Sequence, residues 1–215
     1  MVKLTKRPLP AEITIKNEND YRRGIVLKML VEDCYNKCYI CEDKPSDINI
    51  EHITPHRNDI SKKYDWDNLF IACGYCNGIK GQGFNNIINP TIYDPEKYIT
   101  LSLNMLDGFI DSVQIEISKG SEYDTSVLET VELLEYIYNG NFTELKDIGA
   151  ANLRNEHILP DIQRLWNFIE NHINEPNLGY DVLITKEISR SAKFAAFKRK
   201  IVCDTPLAVR FQEAF

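Results

Sequence analysis

An α+β fold is predicted for this chain of 215 residues. Two Cys-x-x-Cys pairs bracket a stretch with short apolar alternations, and a turn-rich segment then leads to two further alternating runs. Apolar residues at helical spacing follow towards the end of the chain. We therefore divide the sequence into three parts. They are an N-terminal arm and helix (1–36), a core with a β-hairpin (37–120) and a helical C-terminal region packed on the core (121–215).

The first part is expected to be an extended arm followed by a helix. Pro8 and Pro10 discourage helix over 1–19, whereas apolar residues recur at helical spacing from about Tyr21 to Asp33. Two arginines near the start of this helix either reach a phosphate group or lie on a solvated face, and the sequence leaves both readings open. They are Arg22 and Arg23.

The two Cys-x-x-Cys pairs predict a metal site. Each pair presents two sulfurs to one ion, and two pairs complete a closed tetrahedral zinc site. Six cysteines without an evident disulfide framework favour metal binding in a reducing cytosol. Cys34 lies one helical turn before the first pair, and it either competes as a ligand or, as we favour, is a buried thiol. The predicted zinc ligands are Cys38, Cys41, Cys73 and Cys76.

Between and after these pairs the sequence predicts two strands and a helix. Apolar residues alternate over 48–53, which indicates a first strand ending at Glu51 and His52. A polar loop follows. The apolar run 69–72 then enters the second cysteine pair as a second strand, and a helix is expected over 76–80. The core is thus a β-β-α unit.

The rest of the chain predicts a hairpin and three helices. The runs 98–103 and 112–118 alternate in polarity on either side of Asp107-Gly108, and we expect this hairpin to extend the sheet. Helical spacing of apolar residues predicts helices over 124–138, with Asp124 or Thr125 as N-cap, over 160–173 and over 185–202.

Composition and charge limit the possible functions. With 43% hydrophobic and 27% charged residues, the chain has the composition of a soluble globular protein. No apolar run approaches the ~20 residues of a membrane span, and the first residues lack the apolar region of a secretory signal. The net charge of −7 argues against nucleic-acid binding over the whole surface. The basic stretch 186–200 is either a solvated helix face or a DNA contact.

The end of the first predicted strand carries residues suited to phosphodiester hydrolysis. The imidazole of His52 is a candidate general base, because its ordinary pKa lies near working pH. Glu51 and the side-chain oxygen of Asn77 offer the oxygen ligands that a hard divalent cation prefers. An acid–histidine pair alone is a weak signal, since residues 156–160 (Glu-His-Ile-Leu-Pro) nearly copy residues 51–55 (Glu-His-Ile-Thr-Pro). We interpret the second copy, which no cysteines follow, as a helix start.

The complete pattern over 38–81 resembles the zinc-stapled form of the HNH (ββα-metal) nuclease family. It contains Cys-x-x-Cys, acid-His-Ile-x-Pro, Asn-Leu and Cys-x-x-Cys-Asn in order. The resemblance implies a general base at His52, a catalytic metal held by Glu51 and Asn77, and a loop braced by Asn68, which also orients the base. It further implies DNA as substrate and Mg²⁺ or Mn²⁺ as catalytic ion.

This sequence departs from the commoner family pattern at two positions, where Glu51 replaces Asp and Asn77 replaces His. The resemblance also implies a phosphate contact one helical turn after Asn77. Nucleic-acid contacts are accordingly expected from Lys80, and from basic residues elsewhere in the chain: His56, Arg57, Lys198 and Arg199. For His56, an exposed loop residue without such a role remains an open alternative.

Beyond the HNH pattern itself, the chain further resembles PtuB-type HNH proteins of Septu and retron-associated anti-phage systems. The similarity rests on the Lys-Arg-Pro-x-Pro run at 6–10, the Asp-Trp-Asp-Asn-Leu run at 65–69, the segment 77–81 and the hairpin turn. It implies an ATPase partner, similar to PtuA, that restrains or delivers the nuclease. Such a partner would compensate for the absence of a positive charge surplus in the core, since residues 38–81 contain five basic and seven acidic side chains.

Together these observations predict a cytoplasmic, zinc-stapled HNH endonuclease with an added hairpin and a helical C-terminal extension. Two alternatives stay open at this point. One is a stand-alone restriction-type HNH nuclease, and the other is a catalytically idle zinc module that binds a partner.

Overall fold

The structure is a computed structural model that describes residues 1–140 and 144–214, with the side chain of Lys146 excepted. It contains helices and strands in two small sheets, which confirms the predicted α+β class. None of the helices within the described ranges is long and apolar enough to cross a membrane.

The N-terminal region forms two helices instead of the single predicted one. Helix α1 spans Glu18–Arg22 and helix α2 spans Gly24–Asp33. Helix α1 begins with a capping box. The side chain of Asn17 accepts from the backbone N–H of Asp20, and the side chain of Asp20 accepts from the backbone N–H of Asn17. The helical conformation is interrupted between α1 and α2. Arg23 is extended, and Gly24 has a φ of +61°, a conformation that glycine adopts readily.

The predicted β-β-α unit is present. Strand β1 (Ile48–His52) pairs antiparallel with β2 (Leu69–Cys73), and helix α4 (Gly74–Lys80) follows directly. Between the strands lie the one-turn helix α3 (Ile60–Lys63) and a 3-10 turn (Trp66–Asn68). Every residue of β2 is buried, so this strand forms the centre of the unit.

The expected hairpin forms, but it does not extend this sheet. Strands β3 (Ile99–Leu106) and β4 (Phe109–Ile117) pair only with each other among the described residues. Their turn has positive φ at both Asp107 and Gly108, as a type I′ turn requires. The prediction of one larger sheet is wrong because helices pack on both strands of the hairpin, α9 on β3 and α5 on β4.

The C-terminal region is helical, as predicted. Its described residues form five α-helices, whereas three were expected. Helix α5 (Thr125–Asn139) has Asp124 as its N-cap. The chain continues with α6 (Glu144–Asn152), a wide π-helical turn (Leu153–Ile158), α7 (Leu159–Asn174), α8 (Leu178–Ile188) and α9 (Ala195–Cys203).

The prediction of a single helix over 185–202 is wrong, because the end of α8 and all of α9 occupy this range. Helix α8 ends before Ser189, which is extended, and α9 begins after Phe194, whose φ is +52°. This left-handed residue turns the chain so that the Phe194 ring is fully buried in the main core. Burial of a large aromatic side chain offsets the strain of that backbone conformation.

The main hydrophobic core is shared by all three predicted parts of the chain. It includes residues of the N-terminal arm, the cysteine-bearing segments, the hairpin and helices α5, α7 and α9. A second cluster joins α1 and α2 to β2 and the 3-10 turn, through Tyr21, Leu30, Trp66 and Leu69. The N-terminal helices are therefore packed against the loop between β1 and β2.

Candidate active site and metal centre

The four predicted zinc ligands lie together. Their sulfur atoms are all within 4.8 Å of one another, and all four side chains are buried. Two of the ligands belong to a tight turn before β1, and two belong to the end of β2 and the first turn of α4. An all-thiol set at this spacing suits one tetrahedrally coordinated ion such as zinc. The ligands are Cys38, Cys41, Cys73 and Cys76.

Cys34 lies outside this cluster. Its side chain is buried, and the burial raises the pKa of the thiol to about 11. Only the four cysteines of the two pairs bring their sulfur atoms within 4.8 Å of one another among the described residues, so Cys34 is not part of the metal-binding set. The structure therefore places Cys34 as the buried thiol favoured from the sequence.

His52 stands at the end of β1 with its ring orientation fixed. Its Nε2 atom is 2.9 Å from the carbonyl oxygen of Lys63, which can only accept, so Nε2 carries the proton. The lone pair of the neutral ring is consequently on Nδ1. Burial lowers the pKa of His52, which favours the neutral form that a general base requires.

Asn68 connects the two ends of the loop that follows β1. Its Oδ1 accepts from the backbone N–H of Thr54 at 2.8 Å, and its Nδ2 donates to the carbonyls of Thr54 and Lys62, both at 2.9 Å. The last turn of α3 thus offers two carbonyls, one to Asn68 and one to His52. Such carbonyls lack partners within a helix, which leaves them available to side chains.

Glu51 and Lys80 form a buried ion pair beside this loop. Lys80 Nζ lies 2.6 Å from Glu51 Oε1 and donates to the carbonyl of His52 at 2.9 Å. Burial raises the pKa of Glu51, and the Lys80 ammonium opposes that effect. The side chain of Lys80 has no exposed surface. The expectation that Lys80 contacts a substrate phosphate is therefore wrong for this fold, because α4 directs its ammonium inward.

Asn77 lies on α4 one turn before Lys80 and is partly exposed. Residues three apart share one helix face, so Asn77 is on the side of α4 from which Lys80 reaches Glu51. Within the described residues no hydrogen bond engages the Asn77 carboxamide. Its oxygen and the second carboxylate oxygen of Glu51 are the kind of donors that a hard divalent ion prefers.

Two of the other predicted contact residues are close to His52 or open to solvent. The ring centroids of His52 and His56 are 4.8 Å apart, and His56 Nδ1 accepts from the backbone N–H of Asn58 at 3.1 Å. Arg57 is exposed at the tip of the loop, where it donates to the carbonyl of Gln82 at 3.4 Å.

The remaining two predicted contacts are internal. Lys198 is fully buried and pairs with Asp161 at 2.8 Å and with Glu187, and Arg199 pairs with Glu96 at 2.6 Å. The expectation of DNA contact at these two positions is wrong. Helix α9 turns their charges into the interior, where carboxylates from other elements neutralise them.

Residues near His52 that the sequence did not single out come from α1 and α3. The ring of Tyr21 meets the His52 ring edge-on, with centroids 6.2 Å apart. The Lys63 ammonium pairs with Glu18 at 2.8 Å. The capping-box spacing of Asn17 and Asp20 would have revealed helix α1, but no sequence signal places that helix against the loop.

Comparisons with known proteins agree with this geometry. The HNH endonuclease family model matches residues 38–83, which contain the β-β-α unit and all four clustered cysteines. By fold and site, the chain carries an HNH endonuclease domain. The Septu protein PtuB of Bacillus thuringiensis is 30% identical over 193 residues, which cover 80% of this chain and 72% of that protein. The chain belongs to the PtuB family.

Proposed function

We propose that this protein is the nuclease of a Septu-type anti-phage defence system and that it hydrolyses DNA phosphodiester bonds with the help of a divalent cation. The observation that carries the proposal is the orientation of His52. Its Nε2–H is held by the Lys63 carbonyl, which leaves the Nδ1 lone pair to act as the base.

In the proposed reaction, Nδ1 of His52 takes a proton from a water molecule as the water oxygen attacks the phosphorus. The bond from phosphorus to the departing sugar oxygen breaks. Asn68 keeps the loop in place through its three hydrogen bonds, so the imidazole stays aligned during the transfer. Burial lowers the pKa of His52, so the ring is neutral and ready to accept the proton near neutral pH.

Glu51 and Asn77 are the proposed ligands of the catalytic cation, Mg²⁺ or Mn²⁺. Because Lys80 holds Oε1 of Glu51, the other carboxylate oxygen would be left to bind the ion, together with the side-chain oxygen of Asn77. When bound, such an ion supplies Lewis-acid stabilisation of the phosphate and the leaving oxygen. Lys80 acts as a positioning residue that fixes the carboxylate.

The four-cysteine cluster is proposed to hold a structural zinc ion. We also propose a cytoplasmic location and an ATPase partner similar to PtuA. The overall charge of −7 supports the need for a partner or for local cations in DNA binding.

Plasmid cleavage by the purified, zinc-loaded chain tests the proposal, with Mg²⁺, with Mn²⁺ and without added ion, alone and together with a PtuA-like ATPase from the same organism. Cleavage that requires the ion and disappears in His52→Ala is expected. The matched control is His157→Ala, which removes the histidine of the second Glu-His-Ile-x-Pro run and should cut normally.

Two other results would point elsewhere. Site-selective cutting by the chain alone would favour a stand-alone restriction-type enzyme. A folded chain that stays inactive with the ATPase present, under every ion condition, would contradict the nuclease proposal and favour an idle zinc module.

A further inference from the structure

Helix α1 places a carboxylate among cations beside the candidate base. Glu18 pairs with Lys63 at 2.8 Å and with Arg22 at 3.2 Å. The hydrogen bond from Lys63 lowers the pKa of Glu18 most, and Lys63, Arg22 and His56 add favourable charge interactions in the same direction. Two basic side chains, Lys63 and Arg22, therefore contact this carboxylate, and His56 lies close enough to interact with its charge.

This cluster lies next to the proposed catalytic centre. The backbone carbonyl of Lys63 holds His52, and the His56 ring is 4.8 Å from the His52 ring. A phosphate bound by these cations would be one that adjoins the phosphate being cut.

The cluster is also open to solvent. The exposed fractions of the side chains are 44% for Glu18, 24% for Lys63 and 61% for Arg22. If Glu18 were displaced, its carboxylate would be solvated, and no charge would be left buried without a partner. By contrast, Lys80, Lys198 and Arg199 are buried and already paired with carboxylates.

We propose that Lys63, Arg22 and His56 form a phosphate-binding subsite for the nucleic-acid backbone, and that Glu18 fills this subsite until a substrate phosphate displaces it. Carboxylate and phosphate oxygens accept the same hydrogen bonds from ammonium and guanidinium groups, so they compete for one place. The inference rests on the proposed function in assigning a nucleic acid as substrate.

A direct consequence is that Glu18 weakens phosphate binding. The variant Glu18→Gln keeps the shape of the side chain but removes the competing charge. Its matched control is Glu32→Gln, because Glu32 is 46% exposed and pairs with Arg7 at 2.8 Å and Lys28 at 3.8 Å on helix α2.

The experiment titrates inorganic phosphate into the zinc-loaded full chain without added divalent ion. The ring proton resonances of the histidines report binding by NMR, and the chain has four histidines, so the signals are few enough to assign. His157 serves as the internal reference. Phosphate is expected to shift His56 and His52 and to bind about three- to tenfold more tightly to Glu18→Gln than to Glu32→Gln.

A further variant, Lys63→Gln, is expected to abolish the phosphate-dependent shifts while leaving the His52 Nε2–H resonance in place, since that hydrogen bond uses the backbone carbonyl. Equal affinity in Glu18→Gln and Glu32→Gln would overturn the proposal. So would the absence of His56 and His52 shifts in every variant.

This titration does not depend on catalysis, so its outcome is separable from that of the cleavage assay. Failure of phosphate binding with ion-dependent cleavage intact would remove only the subsite. Loss of cleavage with phosphate binding intact would remove only the proposed nuclease function.

Discussion

The chain carries the run Glu-His-Ile-x-Pro twice, and the two copies have different surroundings. In the first, Glu51 is buried against Lys80, and His52 is held by the Lys63 carbonyl with Nδ1 available. In the second, Glu156 is exposed, and Nδ1 of His157 is 2.7 Å from Asp43. In the second histidine, Nδ1 is therefore engaged by a carboxylate, whereas in the first copy Nδ1 is the nitrogen that we propose as the base.

Backbone geometry explains the difference. On a strand, successive side chains point to opposite faces, so Glu51 meets α4 while His52 meets α3. In the helical turn Leu153–Ile158, neighbouring residues lie on adjacent parts of one surface, and both side chains remain at the exterior. The same residue order therefore creates a separated acid and base only where the chain is extended and helices cover both faces.

The largest effect is expected from loss of a clustered cysteine. Cys38→Ser removes one of four buried ligands, so we expect the free energy of unfolding to fall by more than about 4 kcal/mol and the first copy to lose its structure. Zinc content and chemical denaturation measure this. Cys203→Ser, at an exposed thiol outside the cluster, is the control and should behave as wild type. Unchanged zinc binding in Cys38→Ser would rule out the four-thiol site.

The two histidines should differ sharply in catalysis. His52→Ala is expected to lower the cleavage rate by about 10²- to 10⁴-fold, the usual contribution of a general base. His157→Ala should change it less than about twofold, since the ring lies outside the candidate site. Single-turnover cleavage with matched folding controls provides the rates. Similar losses in both variants would show that the two copies are not functionally distinct.

The first copy also depends on its buried ion pair. In Lys80→Met, the buried carboxylate of Glu51 loses its positively charged partner. We expect the free energy of unfolding to fall by about 3–5 kcal/mol. The double variant Lys80→Met/Glu51→Leu replaces the pair by apolar groups and should recover most of that loss. Denaturation of the three proteins measures the difference. A double variant no more stable than Lys80→Met would show that the pair is not the cause.

The smallest effect is expected at Glu96, a carboxylate that lies outside both copies. Burial raises its pKa from 4.5 to about 7, although it pairs with Arg199. Because the folded state binds the proton more tightly, this contribution is fully present below pH 4.5 and is lost as pH rises through about 7. Glu96→Gln should flatten the pH dependence of stability in that window. Melting temperatures across the window test this, and an unaltered slope in the variant would contradict it.

Local sequence patterns predicted the core of the site. The cysteine pairs, strand β1 with Glu51 and His52, and the hairpin turn at Asp107 all depend on residues close together in the chain, so spacing and turn chemistry were sufficient. Asn68 was expected to brace the loop, and the hydrogen bonds that it makes agree with that expectation.

Long-range pairing was not predictable from the same patterns. Lys198 meets Asp161 across 37 positions and Arg199 meets Glu96 across 103 positions. A cluster of basic residues on a predicted helix gives no sign of such partners, so residues 186–200 were expected to lie at the surface. The separation of the two sheets and the break before Phe194 likewise depend on packing against distant helices.

The one-turn helix α3 holds Asn68 and His52 through main-chain atoms, since the carbonyls of Lys62 and Lys63 receive the hydrogen bonds of Asn68 and His52. Any residue other than one that breaks the turn offers the same oxygen. A substitution in α3, at Lys63 of the proposed phosphate subsite for example, can therefore change how the nucleic-acid backbone is bound while the hydrogen bonds that hold His52 and Asn68 are kept.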